Sequence, residues 1–338
     1  LLHNRLKNTL KESRRQLDYL EKIIRNVTMP RFPRNPEKKL TPMGEIAQGG
    51  QGEVSLHFDD KSGIYYVKKQ VKPGSESAEE NRINRLQREF ACLQILSHPK
   101  VPQPVGRAPE YDPKAHFWMN HIIGMDGQEL IDLNPEGVPH VLALNITLKV
   151  AEIVESCLSQ RILHRDIKPA NIICTPLLKD YYDVHLCDFG SAKLRYEKWT
   201  EPLWRPFVFG NEGIAQADFT QYDQLIGTAY YMDPQRITNA LDESSQGDKS
   251  DIYSLGITLY HFLTGKVPFH NDNQKQEEIN VSTILRKQLH EELDLTGLPD
   301  PIQKLLQAMC AKTIEERLSS IRNTILMISR TIRQITAE

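Results

Sequence analysis

The sequence is short of long apolar runs. No stretch approaches the ~18–20 residues needed to span a bilayer, so no membrane segment is expected in this chain. Its first residues are too charged for a secretory signal peptide. The chain opens on Leu1, not Met, and is therefore expected to be a fragment or a processed form with further sequence upstream. Cysteine is also sparse. Cys92, Cys157, Cys174, Cys187 and Cys310 are odd in number and scattered, with no CxxC pair. That argues against a disulfide framework or a zinc site and for a reducing, cytoplasmic compartment. Net charge is nearly absent, −2 from 42 Lys+Arg and 44 Asp+Glu, so the whole chain has no electrostatic footprint for nucleic acid. There is no internal repeat and no low-complexity tract.

What is present is unevenly distributed. Residues 1–40 hold 11 Lys/Arg and 4 Asp/Glu, a charge of +7 that leaves −9 for the remainder. Within them, residues 2–27 read as a basic helix. Leu6, Leu10, Ser13, Leu17, Leu20, Ile24 and Val27 alternate spacings of four and three, the seam of a coiled coil. Such a helix either pairs with a second copy or another partner, or docks on its own domain. Pro30 ends it, and Met29–Pro42, with four prolines, reads as a linker.

From Met43 to about Val71 the pattern is strands separated by glycines, with a turn at Lys61-Ser62-Gly63. A helix follows with Ile83, Leu86, Phe90 and Leu93 on one face. Extended segments come next, including His116–Ile123. From about Pro139 the pattern is mostly helical: Leu144, Leu148, Ala151, Val154 and Leu158 share a face. Asp251–Thr264 is apolar nearly all round, which predicts a buried helix that Gly265 and Pro268 end.

Several polar residues interrupt this pattern. Ile46-Ala-Gln-Gly49-Gly50-Gln-Gly52-Glu-Val54 is a glycine-rich turn whose backbone N–H groups can cradle phosphate oxygens. Taken alone, such a glycine cluster is more often an ordinary hairpin turn. Fifteen residues past Val54 stands Lys69, preceded by Lys68. Strand alternation puts Val67 and Lys69 on one face, where one can roof an adenine and the other reach phosphates. If Lys68 were the inward one, bulky Tyr66 would take the place of Val67, so Lys69 is preferred. Glu89, between Leu86 and Leu93, reads as a surface glutamate unless the lysine needs a carboxylate to orient it.

The strongest signal is His164-Arg165-Asp166-Ile-Lys168-Pro-Ala-Asn171 followed by Asp188-Phe189-Gly190. So many polar groups between apolar segments (Ile162-Leu163 and Ile172-Ile173) are costly unless they act. Asp166 can accept the proton of a substrate hydroxyl and Lys168 can stabilise a transferring phosphoryl. Asn171 and Asp188 are hard oxygen ligands of the kind Mg²⁺ prefers.

Together these motifs resemble the protein kinase signature over about residues 43–330. Gly227-Thr-Ala-Tyr-Tyr-Met-Asp-Pro-Gln235, Asp251-Ile-Tyr-Ser-Leu-Gly256 and Arg317 continue it in order. The resemblance implies an α+β, two-lobed protein kinase fold. A small antiparallel N-lobe with one regulatory helix would span about 41–125 and a mainly helical C-lobe about 126–335, after the helical extension 1–40. It implies ATP and Mg²⁺ as cofactors and a protein as substrate. ATP would lie under the glycine loop (Ile46, Gly49, Gly50, Gly52, Val54), against Val67 and Ile173, with Lys69 and Glu89 at the phosphates. Aligned on Asp126-Gly127-Gln-Glu-Leu130, the hinge falls at Ile123 and Met125, with Ile122 as gatekeeper. Cys187 would sit at the pocket floor. Lys168 and Thr228 resemble the serine/threonine type, in which this threonine contacts the catalytic aspartate and lysine. Arg165 before Asp166 resembles kinases whose activation segment is ordered by a phosphate.

Three features depart from the family. Ala47 stands where the first loop glycine is usual. Asp233-Pro-Gln235 replaces Ala-Pro-Glu, so a neutral amide faces the family's buried arginine, here Arg317, and is expected to compensate it less well. Thirty-six residues separate Gly190 from Gly227. They include Trp199, Trp204, Phe207, Phe209, Phe219 and Tyr222, which suggests a segment packed on the domain or a partner. Thr200, Thr220 and Tyr222 are the candidates for autophosphorylation. A pseudokinase scaffold is disfavoured by the complete set Lys69, Glu89, Asp166, Asn171 and Asp188. A small-molecule phosphotransferase is disfavoured by the Gly-Thr-Ala-Tyr-Tyr segment.

Overall fold

The computed structural model describes residues 32–33, 36–48, 52–72, 76–96, 98–106, 115–178, 181–194, 228–238, 247–269 and 281–337. The expected helix at 2–27 therefore lies outside the described residues. Part of the expected linker does not behave as one. Pro36–Lys39 forms a short helix (α1), Leu40 is buried, and strand β1 (Thr41–Gln48) begins ahead of Met43. Phe32 packs edge-on against Tyr66 and tilts against Trp118, at ring centroid distances of 5.0 and 5.9 Å. The segment is held because the outer face of the sheet presents aromatics that would otherwise meet water.

The first sheet is antiparallel with strand order β1-β2-β3-β5-β4. Its other strands are β2 (Glu53–Asp59), β3 (Ile64–Gln70), β4 (Pro104–Val105) and β5 (His116–Asn120). Between β2 and β3 the chain turns at Lys61-Ser62-Gly63. Asp59 accepts from the Lys61 N–H and the Ser62 hydroxyl, and Gly63 takes the positive φ of 70° that the turn requires. Helix α2 (Glu76–Ile95) crosses this sheet. Its stripe of Ile83, Leu86, Phe90 and Leu93 is buried, and Phe90 meets Phe117 of β5 edge to face at 5.5 Å.

The helical lobe is built around α4 (His140–Ser159) and α6 (Gly247–Thr264), with α3 (Gly127–Asp132) and α5 (Pro234–Ile237) as short connecting helices. Helices α7 (Val281–His290), α8 (Asp300–Met309) and α9 (Ile321–Ala337) complete it. Residues 250–263 of α6 are all buried, as expected for a helix apolar on every side. Gly265, at φ 68°, ends it. Two small antiparallel ladders pack against the helical lobe. One is β6-β8-β9 (Met125–Asp126, Ile172–Leu178, Tyr181–Leu186) and the other pairs β7 (Ile162–Leu163) with β10 (Lys193–Leu194). One buried cluster runs from α2 through these ladders into α4, α6 and α8. This continuity fixes the polar loops between β7 and β8 against both lobes. No helix among the described residues is long and apolar enough to cross a membrane.

Candidate active site

In β3 the register pairs Val54 with Lys69, Leu56 with Val67 and Ser55 with Lys68. Successive side chains alternate faces, so Lys69 and Val67 turn inward while Lys68 and Tyr66 turn outward. Lys69 Nζ stands 2.6 Å from Glu89 Oε2 and 3.0 Å from Asp188 Oδ1. Lys68 Nζ is 3.0 Å from Glu37 Oε1 and 5.8 Å from the centre of the Trp118 ring. Glu89 is buried, so the surface reading of that residue does not hold. Burial pulls the Lys69 ammonium down, but the Asp188 and Glu89 carboxylates outweigh it and raise its pKa. Burial pushes Asp188 up, and Lys69 more than reverses this, leaving the carboxyl well below the usual range. One ammonium thus locks α2, β3 and the Asp188-Phe189-Gly190 turn together.

The loop from His164 to Asn171 is held in an unfavourable shape. Arg165 in this loop, and Asp188 in the turn after β9, sit at φ 67° and 60°, a left-handed conformation that costs a residue with a side chain about 1–3 kcal/mol. Asp251 supplies the hold. Its buried carboxylate accepts the N–H groups of His164 (2.9 Å) and Arg165 (2.8 Å). In the sequence Asp251 opens the stretch Asp251-Ile-Tyr-Ser-Leu-Gly256 with no partner indicated. An aspartate inside an otherwise apolar helix was the available signal that it has a buried partner. His164 Nδ1 accepts from the Asp166 N–H, which leaves Nε2–H to donate to the Cys187 carbonyl at 3.0 Å. The Phe189 ring stacks edge-on to His164 at 4.6 Å.

Within this frame Asp166 is 9% exposed. Its Oδ2 accepts from Lys168 Nζ (3.0 Å) and from Asn171 Nδ2 (3.1 Å). Oδ1 has no hydrogen-bond partner among the described residues. Lys168 Nζ also donates to the Thr228 hydroxyl at 3.0 Å. Asn171 Nδ2 donates again to the Asp166 carbonyl (2.7 Å), so Oδ1 is the atom that Asn171 can offer elsewhere. Asp188 engages Lys69 and the Gly190 N–H through Oδ1, and its side chain is 34% exposed. Asn171 and Asp188 thus fit a hard cation that takes few protein oxygens and completes its shell from water and phosphate.

On the nucleotide side the structure corrects one part of the expected site. Met119 of β5 lies opposite Val67, on the face that carries Lys69, so Met119 and not Ile122 is the β5 neighbour of Val67. Met125 belongs to β6 and pairs with Cys174. The Ile123 side chain is 68% exposed and its carbonyl accepts from the Thr175 hydroxyl. Met125 and Ile123 therefore belong to the β6–β8 region, and the residues that directly follow β5 are His121 and Ile122. The stretch Asp126-Gly127-Gln-Glu-Leu130 marks the start of a helix. Asp126 is in fact the cap of α3, accepting from Gln128 and Glu129 N–H. Ile173 does lie beneath this link: a Cβ on Gly124 would fall 2.8 Å from its Cγ2.

Gly49 and Gly50 lie outside the described residues. Gly52 has a structural reason of its own, since a Cβ there would come 2.3 Å from the Gln70 carbonyl. Ile46, at a bulge in β1, is 50% exposed. Burial pushes the Cys187 thiol up to about 12, which makes it an unreactive neighbour of Asp188. Residues 195–227, with the aromatic segment and Thr200, Thr220 and Tyr222, also lie outside the described residues.

Past Thr228 the chain is tied to the helical lobe. Gln235 Oε1 accepts from Arg317 Nη2 at 2.8 Å, as a neutral partner should. The expectation that Arg317 is poorly compensated is nevertheless corrected, because Asp233 Oδ1 stands 3.0 Å from the same Nη2 and both side chains are fully buried. Tyr231 shares a 2.7 Å hydrogen bond with His261 Nδ1 on α6. Burial lowers His261 to about 4, from an ordinary value of 6.5. Between these values the unfolded chain binds the proton and the native one does not, so stability falls as pH falls through the window. His261→Gln is expected to flatten the loss of unfolding free energy between pH 7 and 4.5 by about 2–3 kcal/mol, measured by urea unfolding at each pH. An unchanged slope would assign the acid sensitivity elsewhere.

Comparison with known proteins adds an independent line. The family model "Protein kinase domain" matches residues 40–328. The chain is 24% identical over 282 residues to "Probable serine/threonine-protein kinase PknB" of Lactococcus lactis subsp. lactis (strain IL1403), covering 82% of this chain and 39% of that protein. It is 27% identical to "Probable serine/threonine-protein kinase pknA2" of Bifidobacterium longum (strain NCC 2705), covering 80% and 32%. It is 30% identical to "Serine/threonine-protein kinase PknD" of Protochlamydia amoebophila (strain UWE25), covering 70% and 24%. The chain thus spans well under half the length of each of these relatives.

Proposed function

Because this chain belongs to the protein kinase family, we propose that it transfers the γ-phosphoryl group of Mg-ATP to serine and threonine hydroxyls of protein substrates, its own chain included. One observation carries the reading. Asp166 has one carboxylate oxygen held by Lys168 and Asn171 and the other, Oδ1, buried without a hydrogen-bond partner among the described residues. That is the arrangement of a base waiting for a hydroxyl proton.

In this reading Lys168 neutralises charge on the group in transfer, and Thr228 fixes the lysine and the substrate-facing segment together. Lys69, oriented by Glu89, takes the phosphates. Val54, Val67 and Ile173 enclose the adenine, and the peptide of Ile122 replaces those of Ile123 and Met125 as its hydrogen-bonding edge. Ile46 and the glycines at 49, 50 and 52 cover it. Asn171 Oδ1 and Asp188 would hold Mg²⁺, which supplies charge neutralisation across the phosphates when bound. The pairing of Lys168 with Thr228 supports serine/threonine over tyrosine. The catalytic unit is taken as 41–335, divided near residue 125. The spacing in residues 2–27 supports a homodimer or partner contact there, and the free cysteines favour the cytoplasm.

The test is transfer of labelled phosphate from ATP to a generic protein substrate and to the chain itself. Signal on serine and threonine that requires Mg²⁺ and vanishes with EDTA is expected. ATP-dependent thermal stabilisation without any transfer would instead establish a binding scaffold.

A further inference from the structure

Arg317 is buried to 2% exposure, between α8 and α9, and its guanidinium is almost wholly occupied by neutral groups. Nε and Nη2 donate to the Ala311 carbonyl, Nη1 to the Lys249 carbonyl, and Nη2 also to Gln235 Oε1. Carbonyls satisfy hydrogen bonds but leave a full positive charge in a region without water, which is costly unless an anion is near. Among the described residues the carboxylate in contact with it is Asp233. Both Nη2 hydrogens already point at Gln235 and Ala311, so Asp233 acts as a charge at 3.0 Å more than as an aligned hydrogen-bond acceptor.

Asp233 is tied to the arginine in turn. It is fully buried, its Oδ1 also accepts from the Gln235 N–H at 3.3 Å, and its Oδ2 has no hydrogen-bond partner among the described residues. From it the chain runs two ways. Five residues back is Thr228, bound to Lys168; three residues on is Arg236, whose Nη1 donates to the Arg165 carbonyl at 2.7 Å. The same turn is anchored by Gln235, whose Nε2 donates to the Lys312 carbonyl. Whatever sets the position of residues 233–236 therefore sets the distance between the Thr228 hydroxyl and the Asp166–Lys168 pair.

We infer that Asp233 is the counter-ion of Arg317 and, through it, a positioning residue for Thr228 and Lys168. The charge that compensates the arginine sits two residues earlier than in the family's Ala-Pro-Glu, and Gln235 keeps only the hydrogen bond. The geometry makes the charge transferable. Residues 233 and 235 both reach Nη2, at 3.0 and 2.8 Å, so a glutamate at 235 can take over when the aspartate is removed. The positioning half of the inference rests on the kinase reading; the counter-ion half does not.

Three variants in the full chain test it: Asp233→Asn, Gln235→Glu, and both together. Asp233→Asn is expected to lower the Tm by about 5–10 °C and kcat for a protein substrate by about tenfold or more, with KM for ATP little changed. Gln235→Glu alone puts two carboxylates on one guanidinium and is expected to lower the Tm as well. The double variant is expected to recover wild-type Tm and kcat to within about twofold. If Asp233→Asn yields no soluble protein, recovery of soluble, active protein by the double variant supports the inference, and failure to recover it overturns it. A wild-type Tm for Asp233→Asn also overturns it. Absence of transfer by the unaltered protein would sink the kinase reading, while the Tm pattern of the three variants still decides the counter-ion.

Discussion

Replacing Asp166 with alanine is expected to lower the rate of phosphoryl transfer by about 10²–10⁴-fold, the usual contribution of a positioned general base. Affinity for ATP should hold, because the side chain touches Lys168 and Asn171 and not the adenine-side residues. The loss should therefore fall on kcat, with KM for ATP within a small factor of the wild type. Asp166→Asn is the sharper version. It preserves shape and the contact with Lys168 while removing the proton acceptor, so it should be nearly as inactive as alanine. Steady-state kinetics beside a thermal melt separate the two explanations. A fully active Asp166→Asn enzyme would show that the proton leaves by another route, and the base assignment would fall.

The second large effect concerns two adjacent lysines. Lys69→Met should abolish measurable transfer, at least about 10²-fold, by removing a preorganised cation from the phosphates. It should also destabilise the fold by about 3–5 kcal/mol, since it strands the buried Glu89 carboxylate beside Asp188. Lys68→Met removes an ion pair with Glu37, which is half in solvent, and should cost no more than about 1 kcal/mol, with activity retained. Activity assays and urea unfolding on both variants decide the matter. The reverse result, with Lys68→Met inactive and Lys69→Met active, would mean that the strand presents its other face to the nucleotide.

Much of this site could be read from residue spacing because its chemistry is local in sequence. Asp166, Lys168 and Asn171 are within five positions, and their mutual hydrogen bonds are those their spacing permits. Alternation in β3 likewise separated Lys69 from Lys68, because Tyr66 and Val67 differ so much in bulk. The link after β5 is the part that residue spacing describes least well, for a physical reason. Residues 120–126 carry no periodic pattern, since the chain there leaves one sheet and enters another, and a capping sequence at Asp126 served as the only landmark. Only cross-strand register, which is non-local, brings Met119 to Val67. The linker was misjudged in the same way: prolines mark where helices cannot run, and say nothing of whether Phe32 and Leu40 find an apolar surface.

By itself the sequence determined the two-lobed fold, the buried helix α6 and the clustering of Asp166, Lys168 and Asn171. Each is encoded in short-range periodicity or in a costly concentration of polar residues. The tertiary structure alone decided which charges answer one another across the fold. Glu89 became a buried partner of Lys69 instead of a surface residue, Asp251 the brace of a strained loop, and Asp233 the answer to Arg317. These pairings join residues separated by tens of positions. What selects them is the cost of an uncompensated charge away from water, which is felt only once the chain has folded and brought the partners together.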